Sequence, residues 1–505
     1  MPPAPLRGQI LRLSDRFGIL RAMGKSNQQR RAAKRRRRAA SNAAGRSEPN
    51  RPADDPGADA GERQANGDAR EATARLLVAG ADAAFGDNVD ESALDHVVQS
   101  LVVRSASEPA QLAAVLATDW LLQLTGLLWE NGWQPIDLAH MVRRHQGVRG
   151  SSLITAVIGQ QALRAGLADR APAEWTAQLE SLGVSSGARS TAGPPVTSDW
   201  LITAWLAGRG IPIWDGWRDV LKLIGQLQNL HRLTPLGPPP SAWKRTASKA
   251  GSAGTRPPAA SAARRDPPAE HDPRMLSKIR ALLSKAEATT FVEEAEAFTA
   301  KAQDLMTRYA IDEALLEDSA GEAEVAARRI HIDNPYAEAK VQLLSTVGAI
   351  NRVRVVWDDH HGMASVVGMA VDLQLVEMLF TSLLVQATRA LTEAGNAPPA
   401  QPGYRSGRLN RSPSFRRAFL LAYATRVGER LAEAGRRAGA EAGSSHGTEL
   451  VPVLARRSEA VDSAFDRLFP ETREIRAKLV DARGWQAGRE AADRAVFAAG
   501  QVGGG

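Results

Sequence analysis

At 505 residues the chain is long enough for two or three domains, and its formal charge of +8 is moderate for that size. It has no cysteine, which excludes disulfides, thiolate zinc sites, iron–sulfur clusters and cysteine nucleophiles. No apolar run of membrane-spanning length and no charged-apolar-small leader pattern is read in it, so a soluble cytoplasmic protein with no membrane partner is expected.

Translation is expected to begin at Met23, where Met23-Gly24-Lys25-Ser26 reads as a natural opening. Gly18 to Ser26 imitates a P-loop, but five residues, Ile19 to Met23, separate the first glycine from Gly-Lys-Ser where four are needed. Arg21, Lys25, Arg30, Arg31, Lys34, Arg35, Arg36, Arg37 and Arg38 are nine cations, and residues 21–40 contain no acid. They account for the positive excess, so basicity belongs to one tail. A run such as Lys34 to Arg38 attracts phosphates and releases counterions, which suits nucleic acid or a ribosome, the alternative being a solubilising tail that sticks weakly to any polyanion; without interleaved aromatics, base stacking is not expected. Residues 41–69 are polar and aperiodic, and the whole of 1–69 reads as a disordered basic tail and linker.

Residues 70–236 read as an all-helical domain. Asp90 caps a helix carrying Leu94, Val97, Val98 and Leu101; Leu112 to Leu128 forms a longer stripe that stops at Asn131-Gly132. Pro135 suits a first helical turn, and Trp217, Val220, Leu221, Ile224 and Leu227 repeat at helical spacing. Eight of the eleven tryptophans lie between Trp120 and Trp217, and core is preferred over a ligand cage. His140 and His145 are five apart, poor spacing for one metal on one helix face. Residues 237–274, opening Gly237-Pro238-Pro239-Pro240, read as a disordered linker.

From Met275 the apolar stripe Leu276, Ile279, Leu282, Leu283 predicts an amphipathic helix. Thr290 with Glu293 forms a capping box for a second helix carrying Ala295, Phe298, Ala302, Leu305 and Tyr309. The result is a helical hairpin over 275–315, too small to bury a core alone.

This hairpin resembles the bacterial and phage family called domain of unknown function 2786. The resemblance is carried by Lys278-Ile279-Arg280-Ala281-Leu282-Leu283, Lys285-Ala286-Glu287, Thr289-Thr290-Phe291, Glu293-Glu294-Ala295, Ala300-Lys301-Ala302-Gln303, Leu305-Met306 and Arg308-Tyr309. Ala310 stands where the family usually has glycine. The resemblance implies a fold and no reaction. The following region, 316–505, more weakly resembles the companion domain that often follows the hairpin.

That region alternates between elements. Arg328 to Asp333 reads as a strand, Tyr336 to Ile350 as a helix, and Val353 to Trp357 and Ala364 to Gly368 as two strands with a turn between. Leu373 to Leu391 is an apolar helix; a helix begins at Ser412 or Ser414; Glu449 to Leu454 reads as a strand; Val461 to Leu468 is helical and Ala487 to Phe497 is a last helix. The fold class is therefore mainly α, with a helical N-terminal domain and a C-terminal α+β domain holding a small, mostly antiparallel sheet.

Asp358-Asp359-His360-His361 has ligand chemistry but falls in a turn, where Asp and His are ordinary solvated residues. His331, Asp359 and His361 could hold a metal only if the fold converges them. Arg426 and Arg430 share a helix face and could bind phosphate, although Glu429 and Glu433 offer ion pairs instead. Gly484 and Gly488, four apart, suit close packing more than anion binding. The chain lacks His-Glu-x-x-His and Gly-x-Ser-x-Gly, and no cofactor is expected. The expectation is a non-catalytic interaction protein contacting a polyanion through its tail, with protein partners open. The alternatives are an enzyme acting on nucleic acid or a small phosphorylated ligand within 275–505, and a structural scaffold.

Overall fold

The computed structural model describes residues 56–86, 89–105, 110–184, 201–244, 273–289, 292–320, 324–396, 412–446, 450–472 and 481–494. The arginine-rich segment, Arg30, Arg31, Lys34 and Arg35 to Arg38 included, lies outside them, as do Thr290 of the expected capping box and the expected start at Met23. Two units divide between Ala250 and Gly251. Among the described residues the first is built of helices, and the second adds a three-stranded antiparallel sheet, the fold class read from the sequence.

The first unit contains α1 (Pro56–Ala83), α2 (Glu91–Ser105), α3 (Ala110–Glu130), α4 (Pro135–Ala165), α5 (Ala173–Ser181), α6 (Leu201–Arg209) and α7 (Ile213–Gln228). Helix α7 is its axis. Trp217, Val220, Leu221, Leu223, Ile224 and Leu227 are all buried, and α1, α2, α3 and α4 pack around it. Gly225 lets α1 approach: an added Cβ would sit 2.5 Å from the carbonyl oxygen of Ala81. Asp90 caps α2, its Oδ1 accepting from the Ala93 N–H at 3.0 Å. At the start of α4, Asp137 Oδ2 accepts from the Gln134 N–H at 3.0 Å, and Gly147 at φ 66° kinks the helix midway.

Two expected boundaries differ. Helix α1 begins at Pro56, inside the stretch read as disordered to residue 69. That stretch has Ala, Glu, Arg and Gln, which favour helix without apolar periodicity. The proline-rich start of the 237–274 linker is also ordered through Lys244. Its anchor is Trp243, buried edge-on against Trp175 at 4.8 Å, itself edge-on to Trp129 at 5.5 Å. Around it Arg170 Nη2 donates to the Pro240 carbonyl at 2.6 Å, and Ser241 donates through N and Oγ to Glu130 at 2.9 and 2.6 Å. Composition made this segment a linker; burial of one indole fixes it.

The second unit opens with α8 (Pro273–Ala288) and α9 (Val292–Ala320), which runs beyond the expected end at 315. Then come β1 (Val325–His331), α10 (Ala337–Ile350), β2 (Arg354–Asp358), β3 (Met363–Met369), α11 (Ala370–Asn396), α12 (Pro413–His446), α13 (Leu450–Leu468) and α14 (Ala482–Arg494). The sheet order is β1-β3-β2, and β3 is buried at every residue. Its two faces have different covers. Ala364 and Val366 join a core with α8 to α12 and α14, while α13 lies across all three strands and covers the alternate residues Met363, Val367 and Met369.

Helix α13 corrects the strand read at Glu449 to Leu454. An apolar run this short fits either a strand or a buried helix. Tertiary packing selects the helix, which buries Val453, Arg457, Val461, Ala464 and Phe465 along one face. Helices α3 and α11 also exceed the expected apolar length. Leu112–Glu130 and Ala370–Gly395 are long and apolar enough to cross a membrane by composition alone, but 61% and 56% of their windows are buried inside the protein.

Helices α12 and α14 pack backbone to backbone. Gly484 and Gly488 lie against the carbonyl oxygens of Phe415 and Phe419, so close that any Cβ would force a shift. Alanine ordinarily stabilises a helix over glycine by about 1 kcal/mol. Gly488→Ala should instead destabilise the unit, by roughly 1–3 kcal/mol, whereas Gly435→Ala, which meets only Ile350 at 3.7 Å, should be neutral or stabilising. Urea denaturation of the full chain checks the sign at each position.

Candidate functional site

Strand β2 ends at Asp358, Gly362 turns the chain at φ 67°, and β3 starts at Met363. Within this turn Asp358 gathers His361: its Oδ1 accepts from the His361 N–H at 3.1 Å, and its Oδ2 lies 2.5 Å from His361 Nδ1. His361 is buried at 5% exposure, whereas Asp359 and His360 are exposed, the His360 ring standing edge-on to His361 at 4.8 Å. His331 and Asp358 are both in register with Met363, so they share a sheet face two strand spacings apart, about 9–10 Å. His331, Asp359 and His361 do not form a three-ligand group among the described residues. The partner that sequence reasoning left out of this set is Asp358, which orients His361 from three residues away.

Burial pushes the Asp358 carboxyl up, but the ring and backbone bonds from His361 and the charges of His361 and His360 outweigh it, and the group sits below its usual range. A depressed carboxylate stabilises the fold fully above its unfolded pKa of about 4 and loses that contribution as pH falls through the folded value. The Asp358 side chain is still 40% exposed, so solvent screens the pair. Asp358→Asn should therefore cost about 1 kcal/mol at pH 7 and flatten the decline in stability below about pH 4, measured by urea denaturation across a pH series.

The arginine face of α12 is occupied. Arg426 bonds Glu429 at 2.7 Å and also Asp493. Arg430 Nη1 donates to the carbonyl oxygens of Ala492 and Asp493 at 2.6 and 2.8 Å, satisfying acceptors near the end of α14. Glu429 also takes Arg489 at 3.2 Å, and Arg426 first, then Arg489, holds its carboxyl below the usual range. Arg437 pairs with Glu433. These arginines clamp α12 to α14 or pair along α12. Gly484 and Gly488 serve the packing described above. In the first unit, His145 Nδ1 lies 2.9 Å from the Met141 carbonyl of its own helix.

Sequence reasoning missed a polar groove of about 380 Å³ in the second unit. Arg280, Leu283, Ser284 and Glu287 of α8 form one wall, Gln374, Glu377, Met378 and Thr381 of α11 the other, and Arg328 of β1 completes it. The polar members recur at i, i+4, i+7 on α8 and at i, i+3, i+7 on α11, each set a single helix face. Arg389 Nη1 donates to the Thr289 carbonyl at 3.1 Å, joining α11 to the end of α8. The only sequence signal for this groove was polar spacing, which reads equally as a solvated face.

No curated protein and no solved structure matches the chain. Residues 274–313, the helical hairpin that supplies one wall of the groove, match the family described as "Protein of unknown function (DUF2786)", the family that the hairpin residues resemble.

Proposed function

We propose that the chain is a non-catalytic, cytoplasmic interaction protein whose arginine-rich segment contacts nucleic acid or another polyanion. The observation that carries this reading is the engagement of Arg426 and Arg430 by Glu429, Asp493 and the end of α14. With that face committed to packing, the run from Arg21 to Arg38 is the stretch of sequence that concentrates cations without acids, and releasing counterions from phosphates is the interaction such a run performs best. The enzyme reading has less support, because the groove lined by α8 and α11 includes neither His331, Asp359 and His361 nor Arg426 and Arg430.

Affinity of the full-length chain for short DNA and RNA duplexes should fall steeply with salt. Replacing Lys34, Arg35, Arg36, Arg37 and Arg38 together with alanine should reduce the slope of log affinity against log salt by about 4 to 5. Arg426→Ala with Arg430→Ala should leave the slope unchanged. An unaltered slope in the five-residue variant would overturn the reading, and a reduced slope in the α12 variant would move the phosphate contacts into the folded unit.

A further inference from the structure

The geometry points to a second binding site, separate from the tail: we propose that the groove between α8 and α11 takes a small zwitterionic ligand carrying an anionic group and an ammonium group.

The lining is small and mixed. Leu283 is buried at its base and Met378 is half-buried, while Arg280, Ser284, Glu377 and Thr381 are exposed along the walls. A volume of about 380 Å³ falls within the range of small-molecule sites. Two arginines and two glutamates make the lining neutral overall. Neutrality at a helix–helix seam usually means that the charges have paired across it. Here, among the described residues, Arg280 of α8 is not ion-paired with Glu377 of α11 although both line the same groove. Arg328 has other contacts and adds positive potential to the site.

That arrangement selects by charge pattern. An inorganic anion would meet the carboxylates of Glu287 and Glu377 as well as the arginines, and a polyamine would meet the guanidinium groups of Arg280 and Arg328 as well as the glutamates, so either is opposed by like charges in the same lining. A molecule with both signs gains at each end, and arginine is well suited to a terminal carboxylate through its forked donors. Arg280 and Glu287 are seven residues apart on α8, about 10 Å along the axis. Their side chains can close on a ligand whose own charges are separated by several ångströms, which favours a short peptide over a free amino acid. Ser284, Gln374 and Thr381 supply neutral hydrogen-bonding groups for the amides between those ends.

Isothermal titration of the full-length chain and of its Arg280→Gln and Glu377→Gln variants with glycine, diglycine, triglycine, inorganic phosphate and putrescine tests the site; only binding that the variants weaken is assigned to the groove, which separates it from phosphate held by the arginine-rich segment. Saturable binding of diglycine or triglycine is expected, stronger than for phosphate or putrescine, and weakened at least tenfold by either Arg280→Gln or Glu377→Gln. Both side chains are exposed, and unchanged unfolding midpoints in the variants would show that the fold is intact. The proposal is overturned if no zwitterion binds at millimolar concentration, if the variants weaken phosphate or putrescine binding as much as peptide binding, or if either variant binds the peptides like the parent.

Discussion

The second unit depends on a strand that is buried from end to end. Each residue of β3 from Met363 to Met369 is buried, and β1 and β2 pair with it on either side. Its alternating side chains must therefore be covered on both faces. Helices α10, α11 and α12 share one face with Ala364 and Val366, and α13 crosses the other. The hairpin has no sufficient core of its own. It joins this one through Leu276, Ile279, Leu283, Ala302, Met306 and Tyr309. The groove arises where polar ridges of α8 and α11 face each other above the apolar seam. Its position is a consequence of how the family hairpin docks.

Arginine stands in two settings in this chain. In the folded units it joins elements: Arg218 ties α7 to Glu91 and Asp95 of α2, and Arg354 bonds Asp462 at 2.5 Å while lying 4.6 Å over the Phe465 ring. A planar fork that both pairs and stacks suits such junctions better than lysine. At the start of α11, Asp372 is almost fully buried; burial pushes its carboxyl up, and Arg352 and Arg457 oppose that shift. One strand-to-helix corner and one covering helix thus meet around a single carboxylate. The run from Arg30 to Arg38 contains none of the acids that such junctions use.

Much of the fold was legible because its signals are local. Asp90, Pro135 and Ser412 mark helix starts through short-range capping or fixed φ, and Ser412 Oγ accepts from the Phe415 N–H at 3.2 Å. The alternation Val353, Val355, Trp357 and the turn residues after it placed β2 and β3. The run Glu449 to Leu454 was misread because a short aliphatic segment has no period long enough to distinguish helix from strand. Trp243 was overlooked because a lone indole among prolines declares nothing until Trp175 is beside it.

By itself the sequence determined the fold class, the hairpin and the concentration of charge in one segment, since periodicity, capping and composition act over a few residues. Only the tertiary structure decided which of the candidate residues meet. Asp358 rather than Asp359 holds His361 because a turn brings residues three apart together. Arg426 and Arg430 serve packing because α14, some sixty residues away, returns to α12. The groove has no local signature, since its walls come from helices nearly a hundred residues apart and its charges become neighbours only when those helices pack.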